Sequence, residues 1–184
     1  MSSTVNSKFF FLFFIGIIDS FNIIQNIMYE QISAFFTVEM IYLWLSFGVL
    51  PVWFILIFFP QSKICGLFVT SIFPFLILGS VYIYLVYHFY NAGYDFSENF
   101  ILYLGIYNLA NLFENEEFLI LIWAHFLAIN LFCAAWIVRD SQKYMISKYI
   151  NILPLVATYF IGPVGLIIYW IIRIFYAKKI TLFD

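Results

Sequence analysis

The sequence predicts an all-α, polytopic membrane bundle with four core transmembrane helices and a fifth, N-terminal one. Two observations predict it. Of 184 residues, 65% are hydrophobic and only 10% charged, with mean hydropathy +1.01. A soluble domain of this size has no interior for so much apolar surface, so the solvent must be lipid. The apolar residues also come in runs long enough to cross a hydrocarbon core of about 30 Å.

Taken in order, residues 1–34 form an N-terminal apolar segment and 35–184 one membrane domain. Phe9–Ile18 is an unbroken apolar run behind Lys8. It resembles a signal peptide, but no small-x-small cleavage site follows. Asp19, Asn22 and Asn26 make one polar stripe, so 9–28 is expected to span or to lie in the interface; a span is the favoured reading. The first core span runs over 38–59, kinked at Pro51 and ended by Pro60. A turn at 61–63 leads to the second span, 64–89, with Pro74 near its middle, so the two form an antiparallel hairpin. Residues 90–117 form a long acidic connection without Lys or Arg, with a short interfacial helix expected over 98–113. The third span is 118–138 and the last 149–176, kinked at Pro163.

Lys and Arg set orientation. Five spans with a cytoplasmic N-terminus place Lys8, Lys63, Arg139, Lys143 and Lys148 inside and the acidic connection outside. Lys178 and Lys179 then fall outside, against the rule. Net charge is −2 with no basic run, so nucleic acid is not an expected partner. Cys65 and Cys133 sit in or beside apolar runs and read as small buried hydrophobes. No glycine-rich phosphate loop, HExxH, GxSxG or CxxC is present; no cofactor and no metal site is expected.

Polar residues concentrate in two stretches, and polar groups kept in hydrocarbon usually face protein. In Trp123–Asp140, His125, Phe132, Trp136 and Arg139 share one line of a helical wheel; Trp123 and Asn130 share another, roughly opposite. Contact on two sides suits a central helix. His125 reads as a satisfied interhelical histidine or as a general acid/base. Arg139–Asp140 reads as a charged helix end. In the last span Thr158, Gly162, Gly165, Tyr169, Arg173 and Tyr176 share a face. The two glycines allow close backbone approach, and Arg173, placed near the outer end, is expected to snorkel or to pair with Glu116 or Glu117.

These stretches resemble the abscisic-acid-deficient 4-like family of neoxanthin-synthesis-type membrane proteins and their bacterial relatives. The family pattern W-x-H-x-L-x-x-D-L-F-x-G-R-W-I-x-x-D is matched at Trp123, His125, Leu127, Leu131, Phe132, Trp136, Ile137 and Asp140. Its G-P-x-G-L…Y…R pattern is matched at Gly162, Pro163, Gly165, Leu166, Tyr169 and Arg173. Pro51, Trp53, Pro60 and Pro74 fit its upstream spans, and the resemblance covers roughly 38–176. The chain departs at Asn130, where the family has Asp, and at Ala134–Ala135, where it has Gly-Arg. That puts any chemistry needing those two charges in doubt.

The resemblance implies a helical membrane fold and, in plants, conversion of violaxanthin to neoxanthin, an epoxide-to-allene isomerisation. It also implies a bacterial member in the inner (cytoplasmic) membrane. On that footing the chain is expected to bind or act on an isoprenoid- or carotenoid-like lipid. His125 would serve as acid or base, Tyr169 or Arg173 would polarise the oxygen, and Trp123, Asn130, Trp136, Gly162 and Gly165 would line the ligand site. The alternative is a non-catalytic module that binds a lipid, a membrane partner protein or a second copy. A transporter ranks third, since no inverted repeat is visible.

Overall fold

The computed structural model describes residues 23–28, 30–31 and 35–178. The described residues divide into two compact units between Ile41 and Tyr42. Of the N-terminal span expected over 9–28, all but the helical residues 23–28 lie outside the described residues. The described secondary structure is entirely helical. Three stretches are long and apolar enough to cross a membrane: Val38–Phe58, Cys65–Asn91 and Glu116–Lys143.

The first comprises α1 (Val38–Gly48) and α2 (Leu50–Phe58). Pro51 lacks a backbone donor; it sits in the first turn of α2 and the helix breaks just before it, at Val49. The second is α3, a single π-helical turn over Cys65–Val69, followed by α4 (Phe73–Asn91). Pro74 lies in the first turn of α4 rather than in mid-span, and the chain is non-helical at 70–72. The acidic connection folds as a 3₁₀ segment (Phe96–Leu104) and α5 (Ile106–Phe113). Gly105, at φ +145, separates what the sequence suggested as one helix. Phe100, Tyr103 and Tyr107 of this connection are exposed, which suits a membrane interface.

The central element is α6 (Glu116–Lys143), capped by Asn115, whose side chain accepts from the Phe118 amide. Half of its apolar window is buried, against 28% and 22% for the two other spans. Trp123 Nε1 donates to Ser46 Oγ at 3.1 Å and Gln142 Nε2 to the Pro60 carbonyl at 2.8 Å. The first span therefore runs alongside α6 in the same direction. Phe75, at the start of α4, packs edge-on against Phe132, and α4 runs the opposite way.

The last span is corrected most. It is two helices, α7 (Lys148–Phe160) and α8 (Gly162–Ala177), joined at Ile161 in an extended conformation. A Cβ built on Gly165 would lie 2.6 Å from the Pro154 carbonyl oxygen and against Thr158. In one continuous helix these residues, eleven apart, would be separated by roughly 16 Å. The chain folds back on itself instead. Pro163 falls in the first turn of α8, where its missing N–H has no partner to lose, and Gly165 lets the two backbones touch. The tip, Gly162, meets Asn130 in the middle of α6, while Arg173 meets Asp140 near the end of α6. The α7–α8 hairpin thus enters from the Lys143 end of α6, turns at mid-helix and returns to that end.

Candidate functional site

The hairpin meets α6 at two levels. At the deeper one the Gly162 Cα faces the Asn130 side chain: a Cβ there would lie 3.1 Å from Asn130 Cγ. Asn130 is 5% exposed. Its Nδ2 and the Oδ1 of Asn151 are buried with no hydrogen-bond partner among the described residues. The Asn130 amide nitrogen is thus held without a hydrogen bond of its own, beside the hairpin tip.

At the second level lies a buried ionic cluster. Tyr169 Oη donates to Asp140 Oδ2 at 2.6 Å, and Arg173 Nε donates to the same oxygen at 2.7 Å. Arg173 Nη2 donates to Tyr144 Oη at 3.1 Å, and its guanidinium sits 4.8 Å from the Tyr144 ring centroid and 5.0 Å from that of Trp170. Trp136 packs edge-on against Tyr169 and stacks on Trp170. Exposure is 0% for Tyr169 and 1% for Arg173. A charge this deep needs a partner and satisfied donors, and each named group has them.

This pairing corrects two expectations. Arg173 neither snorkels at the outer end nor pairs with Glu116 or Glu117, because the hairpin returns it to the other end of α6. Asp140 is more than a charged helix end beside Arg139; it turns inward to pair with Arg173 of α8. Sequence reasoning missed Tyr144 as a cluster member. Its place, four residues after Asp140 and so on the same helix face, was the available signal.

The remaining residues singled out from sequence are dispersed. His125 is exposed on α6 and lies fifteen residues before Asp140, about 22 Å along the helix. No single centre therefore joins His125 to Tyr169 and Arg173. Trp123 packs against Tyr42 and Phe126, on the far half of α6 from the cluster. Gly162 and Gly165 serve the hairpin contact. Among the described residues no three His, Cys, Asp or Glu side chains come close enough to hold a metal ion.

An apolar cleft of about 730 Å³ opens between α2 and α7. Pro51, Trp53, Phe54 and Phe58 form one wall, and Val156, Tyr159 and Phe160 the other. The buried Trp53 ring anchors its floor against the edge of Tyr159, 5.2 Å between centroids.

A family profile described as ABA DEFICIENT 4-like matches residues 40–169, more than half of the chain. The Arabidopsis thaliana protein named Protein ABA DEFICIENT 4, chloroplastic, is 29% identical over 102 residues. That stretch covers 54% of this chain and 46% of the relative, so the match spans less than half of the relative's length. No solved structure matches this chain.

Proposed function

The chain belongs to the ABA DEFICIENT 4-like family, and from that premise we propose that it binds a long, apolar, isoprenoid- or carotenoid-like lipid within the membrane. The observation that carries this reading is the cleft between α2 and α7. Its volume lies in the range of small-molecule sites, and its walls are almost wholly apolar, with flat rings from Trp53, Phe54, Tyr159 and Phe160. Flat aromatic faces suit a polyene or a run of isoprene units, which offer planar, polarisable surface and little to hydrogen-bond. The floor is fixed by the Trp53–Tyr159 contact, so little ordering is left for binding.

In this reading the first span and the α7–α8 hairpin carry the site, the hairpin takes the place of a fourth core span beside the second and third, and residues 9–28 add another at the N-terminus. The membrane is the cytoplasmic membrane of a bacterium, with the Lys-bearing end of α6 facing the cytoplasm. Residues 35–184 act as one functional domain, after the N-terminal segment 1–34.

A second reading, isomerase-type catalysis, is favoured by the convergence of the two motifs on Asp140, Tyr169 and Arg173. Tyr169 and Arg173 are shut from solvent and committed to Asp140, so as they stand they anchor the hairpin. The binding reading needs no rearrangement and is preferred.

The test is mass spectrometry of apolar molecules that co-purify with the detergent-extracted full chain. A defined isoprenoid or carotenoid should accompany the wild type, be lost from Phe54→Ala/Tyr159→Ala, and be retained by His125→Ala, whose site lies outside the cleft. Bulk phospholipid alone, equal in all three proteins, would refute the reading. Loss from His125→Ala would move the ligand to the other half of α6.

A further inference from the structure

A second cavity lies elsewhere, between the interrupted second span and the C-terminal half of α6. It has a volume of about 380 Å³ and is lined by Thr70, Ser71, Phe75, Phe132, Trp136 and Arg139, among others. Its position follows from the break at 70–72. Where the helix stops, backbone and hydroxyl groups are laid open that a continuous span would hide. The Thr70 hydroxyl donates back to the Cys65 and Gly66 carbonyls, so its proton is spent. Ser71 differs: its Oγ accepts from the Phe73 amide at 3.2 Å, which leaves its own proton for another acceptor.

Opposite Ser71 stands Arg139. Its neighbour Asp140 is taken by Arg173 and Tyr169 on a different face of α6, while Arg139 is exposed and lines the cavity. Arg139 lies four residues, about 6 Å, from the Lys143 end of α6, at the depth where lipid headgroups begin. The surroundings are cationic. Lys63 follows Pro60, which Gln142 binds, and Lys143 and Lys148 flank the next turn, so one end of the domain gathers positive charge. Toward the hydrocarbon the cavity is apolar, walled by Phe75 and Phe132 ring to edge at 5.9 Å. One opening thus offers a planar guanidinium fork and a free hydroxyl above, and an aromatic slot below.

We propose that this cavity binds the phosphate-bearing headgroup of an anionic membrane lipid. Arg139 engages the phosphate through paired N–H donors, the Ser71 hydroxyl donates to another phosphate oxygen, and an acyl chain follows Phe75 and Phe132 outward. Basic pockets between spans near a cationic membrane face are suited to this class of ligand. The site is separate from the α2–α7 cleft and does not rest on the function assigned there.

The experiment is native mass spectrometry of the purified full chain in neutral detergent, titrated in turn with phosphatidylglycerol, phosphatidylcholine and inorganic phosphate. The wild type should retain phosphatidylglycerol at least about fivefold more tightly than phosphatidylcholine, the scale of one well-placed cation. Arg139→Gln should erase that preference. Ser71→Ala should weaken it, and Lys148→Gln, the same charge loss outside the cavity, should leave it intact. Arg139 is exposed, so Arg139→Gln should keep the melting temperature of the wild type. Equal binding of the two lipids, or equal losses in Arg139→Gln and Lys148→Gln, would overturn the site. Displacement of the lipid by inorganic phosphate at matched concentration would overturn its assignment to a lipid and leave a free-anion site.

Discussion

Arg173 donates through Nε to Asp140 Oδ2 at 2.7 Å, joining two residues 33 apart in sequence. This one contact fixes the return arm of the hairpin against the central helix, and it shares its acceptor oxygen with Tyr169. Both charged groups are largely withdrawn from solvent, at 1% and 9% side-chain exposure. Removing one leaves the other buried and unpaired.

Asp140→Ala and Arg173→Met should each therefore destabilise strongly, by about 3–5 kcal/mol. Replacing both with apolar groups should recover most of that loss, because no orphan charge remains. A double-mutant cycle on unfolding in detergent measures this. Additive losses would mean that the pair is not coupled.

Much of the bundle was legible in the sequence. Apolar runs bounded by Pro60, the acidic connection 90–117 and the Arg139–Lys148 stretch set the three long spans, and polar groups on two sides of α6 signalled its central place. The hairpin was not legible. Residues 149–176 have the length and apolarity of one span, and Pro163 reads equally well as a kink or as the first turn of a new helix. Only the fit of Gly165 onto Pro154 and Thr158 separates the two, and that is a tertiary contact. The same ambiguity hid the partner of Arg173, since a straight last span carries it to the wrong end of α6. The two motifs were read as separate seams, yet Asn130 meets Gly162 and Asp140 meets Tyr169 and Arg173.

Among the hairpin glycines, the two alanine substitutions should differ. At Gly165 the added methyl meets the Thr158 hydroxyl and, behind it, the Thr158 amide nitrogen and the Pro154 carbonyl, which are backbone of α7 and cannot yield. At Gly162 it meets the end of the Asn130 side chain, which can. Gly162→Ala should cost about 1–3 kcal/mol and Gly165→Ala more. Adding Asn130→Ala should relieve Gly162→Ala and do nothing for Gly165→Ala. Thermal unfolding of the four proteins decides it; rescue of Gly165→Ala by Asn130→Ala would contradict the contacts.

In the acidic connection, Asp95 caps the 3₁₀ segment by accepting from the Ser97 amide at 2.8 Å. A hydrogen bond from the Ser97 side chain, together with this one from its backbone amide, holds the Asp95 carboxyl below its usual value. The folded pKa is the lower one, so the cap's contribution is complete above the ordinary carboxylate range. It is lost as pH falls from about 4 through the depressed folded value. The Ser97 amide resonance in NMR should stay constant from neutral pH down to about 4 and move only below that. Asn is also a good cap, so Asp95→Asn should keep the 3₁₀ segment and abolish the titration. A Ser97 shift that begins near neutral pH would argue against Asp95 as its acceptor.

The hairpin makes its sharpest prediction about sidedness. Met145, 88% exposed in the turn after α6, and Lys178, the C-cap of α8, bracket the whole α7–α8 segment. A single span over 149–176 would put them on opposite faces of the membrane. A hairpin that turns at Ile161 puts them on the same face, together with Lys63, Arg139, Lys143 and Lys148. The positive-inside rule favours that arrangement, because it removes the cations at the C-terminal end from the outer side. Single cysteines at Met145, Lys178 and Tyr107 in a Cys65→Ala/Cys133→Ala background test it with a membrane-impermeant thiol reagent on sealed vesicles. Positions 145 and 178 should react from one side and 107, in the acidic connection, from the other. Reaction of 145 and 178 from opposite sides would unfold the hairpin into a span, and with it the Asp140–Arg173 pairing.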